Sequence, residues 1–222
     1  MMKYKFFWLL SIIWCSCFSQ LPQGFVYVET IIPDIHVELR YNTTNNFVGE
    51  VINGYTANKL ILTKAAAFAL KKAQDELEQQ NLCLKVYDGY RPQRAVNHFM
   101  VWARDLTDTI NKRIFYPDVD KKELFKEEYI ATRSGHSRGS TLDVTIIDGN
   151  TGIPLDMGSP FDFFGHESWV NFEGITEKQR TNRHLLQSIM LKHGFRNYPK
   201  EWWHFTLRQE PFPDTYFDFV IE

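Results

Sequence analysis

The chain has 222 residues, a formal net charge of -2, and 44% apolar and 23% charged residues. That balance suits a soluble globular protein and gives no electrostatic drive toward nucleic acid or anionic membrane. Aromatic residues reach 15% and crowd toward the C-terminus.

Residues 1–19 read as an export signal, with the mature chain starting near Gln20. Lys3 and Lys5 form a basic start, and Phe6 to Trp14 is an apolar run too short to span a bilayer. Cys17-Phe18-Ser19 offers small residues to a signal peptidase. A rival reading makes Cys17 a lipidated terminus, but Trp14 and Cys15 are a poor context for it. The expected location is the periplasm, with no stable membrane span in the mature chain. Once Cys15 and Cys17 leave, Cys83 stands alone and no internal disulfide can form. It sits in an apolar strand pattern and reads as a structural thiol.

Residues 20–222 show no repeat, low-complexity tract or Gly/Ser/Pro linker, so one domain is expected. Ile35 to Leu39 alternates weakly as a strand, and Asn42 to Asn53 reads as a long surface loop. Thr63 to Gln80 is a helix, capped by Thr63 and striped by Ala67, Leu70, Ala73 and Leu77. Cys83 to Tyr87 is a strand, Asp88 to Pro92 a turn, and Pro92 opens a helix to about Asp105. A short helix is expected near Lys121 to Tyr129. Thr141 to Ile147 is a strand with Asp143, Thr145 and Ile147 on one face. Thr176 to His193 is a helix ended by Gly194, and Trp203 to Leu207 a last strand. Strands and helices lack a βαβ rhythm, which predicts an α+β domain with a mainly antiparallel central sheet flanked by helices.

Four residues carry the chemistry. His136 lies in the Gly-flanked loop before the strand of Asp143, and His204 follows Glu201-Trp-Trp. Two imidazoles and a carboxylate suit a catalytic zinc on the sheet face, with a position left open. Glu201, three residues from His204, is a candidate proton acceptor. Asp143 sits mid-strand among apolar residues, where an unpaired carboxylate is costly without a cation or several donors. The alternative is that both histidines are ordinary satisfied rings and Asp143 is salt-bridged; spacing alone leaves both readings open. Arg91 could stabilise a developing negative charge, or could simply pair with Asp88. The other histidines read as surface or core.

Ser134-x-His136-x-x-Gly139-x-x-x-Asp143 with Glu201-x-Trp-His204 resembles the zinc D,D-peptidases of peptidase family M15. Tyr87 to Asn97, Met157 to Phe163 and Glu210 to Phe219 look like VanX-type D-alanyl-D-alanine dipeptidases. The resemblance runs from about Phe25 to Phe219. It implies His136, Asp143 and His204 as ligands of one zinc ion, Glu201 as catalytic base and Arg91 as the oxyanion's partner. It implies Tyr41, Ser134 and Asp162 around a small D,D-dipeptide, with Asp162 on the ammonium and Ser134 and Tyr41 on the carboxylate.

Two departures stand out. The familiar resistance enzymes work in the cytoplasm, whereas this chain reads as exported, which suits turnover or salvage of D-Ala-D-Ala better than resistance. Thr141 stands where the broader pattern often has alanine. The rival functions are a D,D-carboxypeptidase acting on the wall pentapeptide and a non-catalytic wall-binding module. Nothing in the sequence fixes an oligomeric state.

Overall fold

Near the N-terminus, Phe25–Tyr27 (β1) pairs antiparallel with Ile61–Thr63 (β3) as a separate two-stranded sheet, with His36–Val37 (β2) between them in sequence. The computed structural model describes residues 21–222; the export-signal reading of residues 1–19, with Cys17, lies outside them. Lys64–Glu78 (α1), Leu82–Asp88 (β4), Gln93–Arg104 (α2) and the one-turn helix Lys112–Phe115 (α3) come next along the chain. Thr141–Asp148 (β5), Glu177–Lys192 (α4), Phe195–Tyr198 (β6) and Glu201–Leu207 (β7) complete it. The main sheet has the order β2-β4-β5-β7-β6, antiparallel except for β2 beside β4. The expected α+β domain with a mainly antiparallel sheet is the one observed.

Local chemistry explains the helix ends. The Thr63 hydroxyl accepts the Ala66 N–H, and Thr176 and Gln179 form a reciprocal capping box. Gly194 at φ +93° lets the chain leave α4 in the left-handed region. α1 buries Ala66, Ala67, Leu70, Ala73 and Leu77, packs on β4 and meets α4, which covers β6 and β7. Buried Gln74 accepts the Leu84 N–H at 2.8 Å, tying α1 to the sheet. β5 is buried on both faces through Ile147, as a central strand between covering layers must be.

Three local expectations change. The segment Asn42 to Asn53 is a loop only partly at the surface: Thr43 to Asn45, Glu50, Val51 and Asn53 are exposed, but Phe47, Val48 and Ile52 are buried. Asn46, also buried, holds it by donating to the carbonyls of Thr43 and Glu50 and accepting from Val48 and Gly49. The stretch from Lys121 to Tyr129 contains only a 3-10 turn at Lys121–Glu123, where the buried Lys121 ammonium binds the Asp108 carbonyl and faces the Trp102 ring. The strand at Ile35 to Leu39 shrinks to its two paired residues.

Two ladders of the main sheet are irregular. Between β4 and β5 the register shifts at Val86 to Asp88, so Asp88 stands opposite Asp143. Between β6 and β7, Asn197 faces Phe205 but the next residue, Tyr198, faces Glu201.

Candidate metal centre and active-site cleft

Three neighbouring strands bring charged residues into one row. Asp88 on β4 pairs with Asp143 on β5, and Asp143 pairs with His204 on β7. Strict alternation would point Glu201 and His204 to opposite faces. The irregularity in β7 overrides it: Glu201 Oε2 lies 3.3 Å from His204 Nδ1.

His136 arrives from the loop before β5, in a 3-10 turn over Gly135–Arg138. Ser134 caps that turn by accepting the His136 N–H at 3.3 Å. Gly139, at φ +77°, closes it, and a Cβ there would collide with the Phe25 ring. The His136 Nδ1 is 2.8 Å from the Gly89 carbonyl, which fixes the proton on that nitrogen and leaves Nε2 as a lone pair. Nε2 points at His204 Nδ1, 3.3 Å away, and at Asp143 Oδ2, 3.4 Å away.

One ligand atom from each of His136, Asp143 and His204 lies within 4.8 Å of the others. Asp143 Oδ1 is buried with no hydrogen-bond partner, although His204 Nδ1 is 3.2 Å away without bonding geometry. An orphaned buried carboxylate oxygen beside two imidazole nitrogens is a fitting donor set for zinc. Burial would raise the Asp143 pKa, but His136 and His204 outweigh it and hold the carboxyl well below the usual range. Burial would likewise lower that of His204, and the Asp143 and Glu201 carboxylates beside its Nδ1 instead raise it to about 9.

Arg91 stands over the Tyr41 and Phe99 rings, its guanidinium carbon 4.9 and 5.3 Å from their centroids. Its Nε donates to Asp88 Oδ2 at 2.9 Å and its Nη2 lies 3.5 Å from Asp143 Oδ2. The Asp88 pairing and the reach toward the site therefore coexist. Asp88, 1% exposed, also accepts the Tyr55 hydroxyl at 2.7 Å and lies 3.5 Å from His136 Nδ1. It braces both the arginine and the histidine.

Asp162 enters from the loop after β5 with a left-handed backbone, φ +60°, unusual outside glycine. Tyr41 donates to its Oδ2 at 2.8 Å. Burial lifts the Asp162 carboxyl well above the ordinary range, with the nearby Asp143 charge adding to the effect. A buried carboxyl so disfavoured in its charged form would gain from a cation. Arg183 on α4 holds the loop: it is 2% exposed and donates to the carbonyls of Met157, Trp169 and Glu167, each at 2.6 Å.

Tyr41, Arg91, Ser134, His136, Asp143, Asp162, Glu201 and His204 all line one cleft of about 570 Å³. The structure thus gathers every residue singled out from the sequence. Asp88 entered that reading only as a partner for Arg91; the braces Tyr55 and Arg183 escaped it. Asp88 carried a local signal, three residues before Arg91; Tyr55 and Arg183 act from distant segments and carried none.

Among the described residues no helix is long and apolar enough to cross a membrane. A sequence family described as D-ala-D-ala dipeptidase, Peptidase_M15, matches residues 22–222. The D-alanyl-D-alanine dipeptidase of Enterococcus faecalis is 39% identical over 201 residues, spanning 90% of this chain and 100% of that relative. The protein of the same name from Enterococcus faecium is 40% identical over 90% of this chain and 98% of its own. The one from Streptomyces coelicolor is 41% identical over 89% and 98%.

Proposed function

Because the chain belongs to the M15 peptidase family of D-ala-D-ala dipeptidases, we propose that it hydrolyses D-alanyl-D-alanine to two D-alanines, with one zinc ion held by His136, Asp143 and His204. The observation that carries this reading is the convergence of three ligand atoms, Glu201 and Arg91 in one cleft. Zinc bound there would polarise the scissile carbonyl and make water easier to deprotonate.

Glu201 sits beside the ligand nitrogen of His204, so its carboxylate can take a proton from the attacking water. The water oxygen adds to the carbonyl carbon, the C–N bond breaks, and Glu201 returns the proton to the leaving nitrogen. Arg91, braced by Asp88 and stacked over two rings, offers N–H groups to the oxygen as it becomes negative. Asp162 takes the substrate ammonium, and the Tyr41 hydroxyl, expected on the substrate carboxylate, instead donates to Asp162 Oδ2. The Ser134 oxygen accepts from His136, which leaves its hydroxyl hydrogen free to donate to the substrate carboxylate.

The test is D-alanine release by the purified chain from Gln20 onward, with zinc measured on the same sample and L-Ala-L-Ala and wall pentapeptide in parallel. Cleavage of D-Ala-D-Ala alone is expected. Cleavage of pentapeptide instead would make it a carboxypeptidase; zinc without any cleavage would favour a wall-binding module. Glu201→Ala should keep zinc and lose turnover; full activity in that variant removes Glu201 from the mechanism. Export through residues 1–19, with a role in wall turnover, belongs to the same proposal, and N-terminal sequencing of periplasmic protein tests it.

A further inference from the structure

A free dipeptide is a zwitterion, and its carboxylate must enter a cleft that is rich in negative charge. Glu128, Asp143, Asp162 and Glu201 line the cleft, against the arginines Arg91 and Arg133. Lys200 neutralises Glu128 at 2.7 Å. Arg91 has its Nε on Asp88 and its Nη2 toward Asp143, with its remaining N–H groups assigned to the reacting oxygen, and the Tyr41 hydroxyl is committed to Asp162.

Arg133 differs from Arg91 in the cleft and from Arg138, five residues on. Arg138 is bound to Glu210 at 2.7 Å, whereas Arg133 makes no ion pair or side-chain hydrogen bond among the described residues and stands over the Tyr216 ring, 5.0 Å from guanidinium carbon to centroid. That ring is itself steadied, since Arg138 Nη1 lies 3.5 Å from the Tyr216 hydroxyl. The guanidinium is thus oriented by an aromatic shelf while its N–H donors remain available. It is exposed at the cleft wall, where a ligand can reach it without displacing an internal partner. The next residue is Ser134, and the loop runs directly on to His136. Arg133, Ser134 and His136 thus follow one another along the same cleft wall.

We propose that Arg133 binds the C-terminal carboxylate of the substrate beside the Ser134 hydroxyl, and so makes a free carboxylate a requirement for turnover. This rests on the dipeptidase reading and adds the residue that supplies the charge. With Asp162 on the ammonium, both ends of the dipeptide are then matched by opposite charge.

The test compares the wild-type chain, Arg133→Gln and Arg133→Lys on D-Ala-D-Ala and on its C-terminal amide, with zinc content and thermal midpoint recorded for each. A charge-assisted hydrogen bond at a partly exposed site corresponds to roughly a tenfold preference. The wild type should favour the free acid over the amide by about that factor or more. Arg133→Gln should lose about tenfold in kcat/KM on the acid, mostly through KM, and change little on the amide. Arg133→Lys should recover part of the loss. Equal losses on acid and amide would reduce Arg133 to a structural role, and no loss on either would place the carboxylate elsewhere; both outcomes overturn the proposal. A wild-type chain that cleaves neither compound would overturn the dipeptidase reading, and this proposal with it.

Discussion

Stripping the metal should leave His204 protonated far above the usual histidine range. Its side chain is 19% exposed, and its Nδ1 lies 3.2 Å from Asp143 Oδ1 and 3.3 Å from Glu201 Oε2. Burial pulls the pKa down, but the two carboxylates outweigh it and raise it from 6.5 to about 9. A shift of that size favours the protonated folded state by on the order of 3 kcal/mol. The folded value lies above the unfolded one. The stabilisation is therefore complete below about pH 6.5 and is lost as pH rises through about 9.

Metal binding inverts this dependence, because the ligating nitrogen must shed its proton. At pH 7.5 the apparent zinc affinity should be roughly 30-fold weaker than above pH 9, and below that it should fall about tenfold per unit. Imidazole nitrogen shifts of metal-free protein would report the titration, with urea midpoints measured at pH 6, 7.5 and 9. The expected result is a His204 midpoint near 9, stability declining across that window without zinc, and the decline abolished by saturating zinc. A midpoint at or below 6.5 would refute the reasoning, since the two carboxylates would then not be acting on the ring.

Asp88→Ala should destabilise the fold by about 3–5 kcal/mol in urea denaturation, because it strands the buried Arg91 charge and frees the Tyr55 hydroxyl; a cost below about 1 kcal/mol would mean the brace is dispensable. Arg183→Met should leave zinc bound but raise KM for the dipeptide, by releasing the three carbonyls that hold the Asp162 loop; unchanged KM would show the loop holds itself. Gly135→Ala should cost about 1–3 kcal/mol alone and much less in a Thr141→Ala background, measured as a double-mutant cycle; additive effects would mean the two sites do not touch.

The legible part of the sequence is the part that repeats locally. The α1 stripe, the Thr63 cap, the Gly194 stop after α4 and the alternation of β5 each place a residue by a short-range rule, and the structure contains all of them. The face of Asp143 follows from that alternation. Glu201 and His204 do not follow from theirs, since the same side of the strand is reached only through the irregularity of β7 in its ladder with β6. β1, β3 and β6 are too short to show periodicity, and pairing with distant strands decides them. The 42–53 loop misleads because polar, turn-rich composition signals a loop but not its depth. A single buried Asn46 satisfies enough backbone to let Phe47 and Ile52 enter the core.

Thr141 shows how a departure from the family pattern is absorbed beside the candidate metal centre. Its side chain is fully buried on the same face as Asp143, where an added hydroxyl without a partner would be costly. Thr206 on β7, directly across the ladder, supplies the partner at 2.9 Å. The extra bulk presses toward the His136 loop, where a Cβ on residue 135 would lie only 2.7 Å from the Thr141 Oγ1. Thr141 is β-branched, so its χ1 cannot easily turn away, and the hydrogen bond to Thr206 fixes it further. Gly135 removes the clash at its other end. The room that alanine would leave at position 141 is instead left by glycine at 135, between Ser134 and His136. The residue beside the candidate ligand His136 is thus set by a strand neighbour six positions later, a dependence that spacing within the motif alone does not reveal.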